Sequence, residues 1–224
     1  MKSPILISGC HRSGTSMIAG IINICGAFSG RVDKMYENIA IRQGVLKPYL
    51  NKIGADINGQ FPLPATNQLE AIVGWDNIIN TIILKQGGNE NTEWFYKDFR
   101  MVLTYPIWQA AFPESKWIIV RRKDKDIVDS CMKTSYMDAF TYSDVKEKIG
   151  VQTTEQGWQW WVDRFKKRFE EMKAVDILIM EVYPDKMVEG DFSEIKQVVE
   201  WLGLEWKEKE VKEFIQPKLW KGNN

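Results

Sequence analysis

The residues with the clearest chemical potential open the chain. Gly9-Cys10-His11-Arg12-Ser13-Gly14-Thr15-Ser16 has two glycines five positions apart and ends in a pair of hydroxyls. Glycines let a backbone curl until successive N–H groups point inward, and a helix that starts there adds partial positive charge. Such a loop cradles a tetrahedral anion. Nucleotide-hydrolysing loops carry lysine where this chain has Thr15, so the cation must come from Arg12 instead. A second constellation, Arg121-Arg122-Lys123-Asp124-Lys125-Asp126-Ile127-Val128-Asp129-Ser130, follows the apolar run Trp117-Ile118-Ile119-Val120. Arg122 offers a planar fork of donors that can meet two phosphate oxygens, and Ser130 adds a hydroxyl. Alone, the same residues would also serve as a charged helix cap.

Two motifs of this kind need a scaffold that brings them together. Residues 4–8 read as a strand and 15–24 as a helix, with further strands at 94–97, 117–120 and 177–180. Helices are predicted at 37–53 (broken near Gly44 and Pro48), 67–84, 102–112 (kinked at Pro106), 124–137, 154–173 and 192–202, with Gly203 as the C-cap. Residues 54–66 read as an irregular crossing and 86–92 as a polar surface loop. Short apolar strands alternating with helices predict a parallel sheet covered on both faces, a three-layer α/β/α architecture in one domain spanning 1–224. In such a sheet the two motifs fall on the carboxyl edge, where ligands bind.

Against that frame, Gly9 to Ser16 resembles the 5′-phosphosulfate loop of sulfotransferases that use 3′-phosphoadenosine-5′-phosphosulfate (PAPS). Arg122 and Ser130, eight residues apart, resemble the same family's 3′-phosphate motif. Tyr96-Lys97-Asp98-Phe99-Arg100 is similar to its Lys-Asp-Pro-Arg segment, with Phe99 in place of proline, and the likeness extends from Ile5 to Trp206. The resemblance implies a P-loop nucleoside-triphosphatase-like fold and sulfuryl transfer from PAPS to a hydroxyl or amine of a small-molecule or carbohydrate acceptor. It implies that Gly9, His11, Arg12, Ser13, Gly14, Thr15, Ser16, Arg122 and Ser130 hold the donor, with Arg12 stabilising the departing phosphate and no metal needed. Glu37 is the expected base, by likeness to bacterial relatives, with its pKa raised in a closing cleft. Asp98 and His11 compete for that role, and Glu37 would equally serve as the first-turn acid of a helix. A nucleotide-dependent kinase and a catalytically silent nucleotide-binding protein are the alternatives.

Composition narrows the field from the other side. Thirty basic and thirty acidic residues cancel, which removes the charge excess of a general nucleic-acid binder. The apolar run at 17–28 is too short to cross a bilayer, and residues 5–7 are too short for a secretory core, so a cytoplasmic protein without a membrane partner is expected. Three scattered cysteines and a single histidine support neither a disulfide framework nor a zinc site. Cys10, beside Arg12, is read as a small loop filler rather than a redox switch. Trp158, Trp160 and Trp161 are read as core on one helix rather than a sugar platform, with Trp160 off the shared face. The run at 207–212 reads as a solvated helix face.

Overall fold

The computed structural model describes residues 1–63, 65 and 68–215. Four parallel strands form one sheet: β1 (Ile5–Gly9), β2 (Phe95–Lys97), β3 (Lys116–Val120) and β4 (Ile179–Val182), in the order β2-β1-β3-β4. The chain adds β2 on one side of β1 and then β3 on the other, so the strand order reverses at β1, where β1 and β3 lie side by side with Gly9 opposite Val120. That is the switch point at which parallel sheets open a crevice beyond their carboxyl ends.

Alternation along each strand separates two cores. Leu6, Tyr96, Trp117 and Ile119 face one side, where they meet the helices of the middle of the chain. These are α2 (Ile39–Ile41), a π turn (Arg42–Leu46), α3 (Lys47–Lys52), α4 (Trp75–Lys85), α5 (Arg100–Leu103), α6 (Tyr105–Ala111), α7 (Asp124–Met132), α8 (Ser143–Ile149) and α9 (Thr154–Lys173). Ile5, Ile7, Phe95, Ile118 and Val120 face the other side, against α1 (Thr15–Ile24), α10 (Pro184–Val188), α11 (Ser193–Leu202) and α12 (Glu208–Phe214). The three-layer parallel architecture expected from the sequence is therefore present. No helix among the described residues is long and apolar enough to cross a membrane.

Several boundaries differ, each for a physical reason. The predicted helix at 124–137 stops at Met132, because Thr134 donates its hydroxyl to the Ser130 carbonyl and the chain turns. The predicted helix at 102–112 starts earlier, at Arg100, and divides at Thr104 ahead of Pro106. The predicted helix at 37–53 begins only at Ile39, because the Asn38 side chain caps it by accepting from the Ile41 N–H. Glu37 therefore precedes the helix and is not its first-turn acid. Part of the predicted helix at 67–84 unwinds, leaving α4 from Trp75, and its first residue lies outside the described residues. Strand β4 sits two residues later than its apolar run suggested. The alternating-charge run at 207–212 belongs to α12, whose Val211 is fully buried, so that helix is a docked element.

Candidate active site

β1 runs straight into the anion loop. Gly9 is required there by space: a Cβ would sit 2.5 Å from the Val120 carbonyl and 2.8 Å from Ser13 Oγ. Gly14 caps α1 with φ 98° and no capping side chain, which leaves the first turn's amides to whatever lies above. Arg12 itself is left-handed, φ 71°, a conformation that costs a non-glycine residue energy and that recurs at ligand-binding loops. The curl of residues 9–16 is thus imposed by β1–β3 proximity and fixed by the Ser13 N–H bond to the Cys10 carbonyl at 3.0 Å. Among the described residues, Ser13 Oγ is buried without a hydrogen-bond partner, as is His11 Nδ1. Thr15 is buried and Ser16 half-buried in the first turn of α1.

The two motifs meet. Arg122 Nη1 donates to the Arg12 carbonyl at 3.1 Å, and Arg12 Nε donates to Ser130 Oγ at 2.8 Å. Every loop residue singled out in the sequence, together with Arg122 and Ser130, lies at this one end of β1 and β3. Burial, with help from Arg12, lowers the Arg122 guanidinium from its ordinary value, opposed by Asp126 and Asp185. His11 is pushed down to about 3, by burial first and then by Lys97 and Arg12. It stays neutral at physiological pH, and the positive surroundings that depress it are the field an anion would meet.

Glu37 and Asp98 stand at the end of β2 in one ion-pair network. Asp33 accepts from the Met35 and Glu37 amides and so turns Glu37 inward. Glu37, 6% exposed, receives Lys97 at 3.0 Å on one oxygen, and Arg42 at 2.7 Å and Arg100 at 3.2 Å on the other. The carboxylate expected to stand desolvated in a closing cleft is here shared among three cations. Asp98, fully buried, accepts from Arg100 Nε at 2.8 Å, Arg100 Nη2 at 2.7 Å and the Tyr96 hydroxyl at 3.0 Å. Burial works against its ionisation, but the Arg100 charge and hydrogen bonds prevail and hold it below the usual carboxylate range. Sequence reasoning places Lys97 and Arg100 only within a family-like segment, without a role, and does not name Arg42. Lys97 and Arg100 flank Asp98 at a strand end, a signal that was present; Arg42 had none beyond its place in a helix.

The remaining candidates resolve simply. Cys10 is buried and its thiol is pushed well up by that burial, as a loop filler requires. Trp158 and Trp161 are buried, their rings 5.4 Å apart and edge-to-face, while Trp160 is only partly covered. No cluster of three or more metal-ligating side chains occurs among the described residues.

Comparison with known proteins bears on the family and the fold. The profile of the sulfotransferase family matches residues 4–208. No curated protein matches the sequence significantly. Among solved structures, a sulfotransferase domain from the curacin biosynthetic pathway superposes with TM-score 0.58 at 11% identity, covering 97% of this chain and 78% of its own. One from the Synechococcus PCC 7002 olefin synthase gives 0.56 at 12% identity, covering 100% and 85%. Sulfotransferase STF9 from Mycobacterium avium gives 0.52 at 12%, covering 100% and 69%. These likenesses carry the fold, and the profile carries the family: from its fourth residue to α12, the chain belongs to the sulfotransferase family.

Proposed function

We propose that the protein transfers a sulfuryl group from PAPS to a hydroxyl of a small-molecule or carbohydrate acceptor. The observation that carries this reading is the junction of Arg12, Arg122 and Ser130 at the switch point, where one anion site borders another. The residues fit such a donor: the loop is a cradle that a Cβ at Gly9 would fill, and the buried Ser13 hydroxyl has no hydrogen-bond partner among the described residues.

In this reading Gly9 and residues 13–16 bind the 5′-phosphosulfate through backbone N–H groups and the start of α1, with the Ser13, Thr15 and Ser16 hydroxyls in support. His11, neutral, shapes the loop. Arg122 and Ser130 hold the 3′-phosphate. Arg12 leaves Ser130 for the oxygen that bridges sulfur and phosphorus, where negative charge grows as that bond breaks and the acceptor oxygen bonds to sulfur. Positioning and charge stabilisation supply most of the rate, and the cations are all protein side chains. Asp98 keeps Arg100 in place. An anion on the loop competes with Glu37 for Lys97, and the Glu37 Oε1 so freed takes the acceptor's proton while Arg42 and Arg100 keep the other oxygen in place.

Calorimetric titration with 3′-phosphoadenosine-5′-phosphate, the desulfated donor, beside ADP tests the reading. The 3′-phosphorylated nucleotide should bind at least about tenfold more tightly, and Arg122→Ala should abolish the difference, since a lost charge-assisted contact is worth about 1.5–3 kcal/mol. Equal or tighter binding of ADP would overturn the donor assignment and favour a kinase.

A further inference from the structure

The chain segment that α7 would have occupied instead folds over the anion loop and carries an exposed aromatic with it. Tyr136 is 55% exposed, yet its hydroxyl stands 3.5 Å from Arg12 Nη1 and its ring meets His11 edge-on at 5.9 Å. His11 in turn packs edge-on against Phe99 at 4.7 Å. An aromatic left in solvent is ordinarily free to move, but this one is pinned through its backbone. Gln60 donates to the Tyr136 carbonyl at 2.8 Å and accepts from the Asp138 N–H at 3.2 Å, while Met137 between them is buried. On the other side of the clamp, Phe61, next to Gln60, lies 6.3 Å from the ring of Tyr142, which is 48% exposed.

Gln60 is itself held for this purpose. Asp56 accepts from the Gln60 and Phe61 amides at 2.7 and 3.2 Å, Trp161 donates to the Gly59 carbonyl at 2.9 Å, and Arg100 donates to the Ile57 carbonyl at 3.2 Å. The irregular crossing is thus tied to the core, to the ion-pair network and to the Tyr136 turn at once. Partly exposed rings on two segments that Gln60 clamps together, one of them beside Arg12, are what a ring-shaped ligand needs and solvent does not.

We propose that Tyr136, with Phe61 and Tyr142 beyond it, seats the acceptor, and that the acceptor is a neutral alcohol carrying a ring whose face lies on these side chains. The proposal rests on the sulfuryl-transfer reading and refines it. Beside Tyr136 stands the Arg12 guanidinium, which can only donate; a hydroxyl can accept from it, whereas an ammonium has no lone pair to offer. Asp138, the carboxylate at the rim, already accepts from the Tyr142 hydroxyl at 3.2 Å. Planar aromatic rings and the C–H faces of sugars share this mode of contact, so the test carries both.

The protein loaded with 3′-phosphoadenosine-5′-phosphate is titrated with 2-phenylethanol, methyl β-glucopyranoside, 1-butanol and 2-phenylethylamine, and transfer from labelled PAPS to each is followed in parallel. One or both ring alcohols should bind and accept sulfate roughly tenfold better than butanol or the amine, the size expected of a single well-packed aromatic contact. Tyr136→Ala should raise the acceptor KM by a similar factor with nucleotide affinity unchanged, and Tyr136→Phe should restore it. A Tyr136→Ala protein with unaltered acceptor binding, butanol or the amine used as well as the ring alcohols, or no ring alcohol bound at millimolar concentration would each overturn the proposal. Failure of the nucleotide itself to bind would instead overturn the donor reading.

Discussion

At the scale of single residues, His11 sets a measurable property of the whole protein. It is the chain's single histidine, and its folded value of about 3 lies well below the ordinary 6.5. The unfolded chain therefore takes up this proton first as pH falls, and stability drops from about pH 6.5 toward pH 3 while staying flat above. At pH 5 the loss should be about 1–2 kcal/mol. Carboxylates such as Asp98 titrate lower, so between pH 7 and 5 the slope belongs to His11. Urea unfolding at the two pH values should show it, and His11→Gln should flatten it; an unchanged slope in that variant would mean the ring is not held neutral. That His11 would lose basicity was legible in the sequence, because it sits in a loop built for anions. The fate of Glu37 was not, since Lys97, Arg42 and Arg100 reach it from three different elements and no local spacing announces the meeting.

Elements were legible where capping or burial marks their ends. α9 begins after Thr153, whose side chain and amide pair with the amide and side chain of Gln156 in the first turn, and its predicted span coincides with the observed one. α11 ends at Gly203, φ 76°, as its glycine suggested. β4 slipped because it is an edge strand. Leu178 is half exposed, whereas Glu181 is in the strand, held by Arg121 and Lys173, so apolarity does not mark its limits. The docking of α12, whose sequence reads as a solvated helix face, was hidden for a similar reason: its surface is charged, and Val211 and Phe214 are what reach inward. Its seat is Gly20 on α1, where a Cβ would lie 2.2 Å from Phe214 Cζ. Gly20→Ala should push Phe214 out at a cost of about 1–3 kcal/mol. Hydrogen exchange should then show the amides of 208–214 unprotected while those of α1 keep their protection. Intact protection of α12 would show that Phe214 swings aside without undocking its helix.

For the molecule as a whole, the parallel sheet is the common wall of both cores. Each strand contributes alternate side chains to each side, Ile5 and Ile7 to one and Leu6 to the other, so neither helical layer has a wall of its own once the sheet is lost. We therefore expect residues 1–215 to unfold as one cooperative unit. The tryptophans provide an unusually direct probe, because Trp75, Trp94, Trp108, Trp117, Trp158 and Trp161, all fully buried, belong to the same side of the sheet. Fluorescence thus reports chiefly the layer that holds the Tyr136 turn and the ion-pair network, whereas far-ultraviolet circular dichroism reports helices of both layers. In urea the two signals should give coincident transitions with the same midpoint and slope. A fluorescence transition that precedes the dichroic one would mean that the layer bearing α2 to α9 melts on its own, leaving α1 and the anion loop on a sheet covered on one face. The order of loss would then matter for function, because Arg12 would keep its loop while Ser130 and Tyr136 left it.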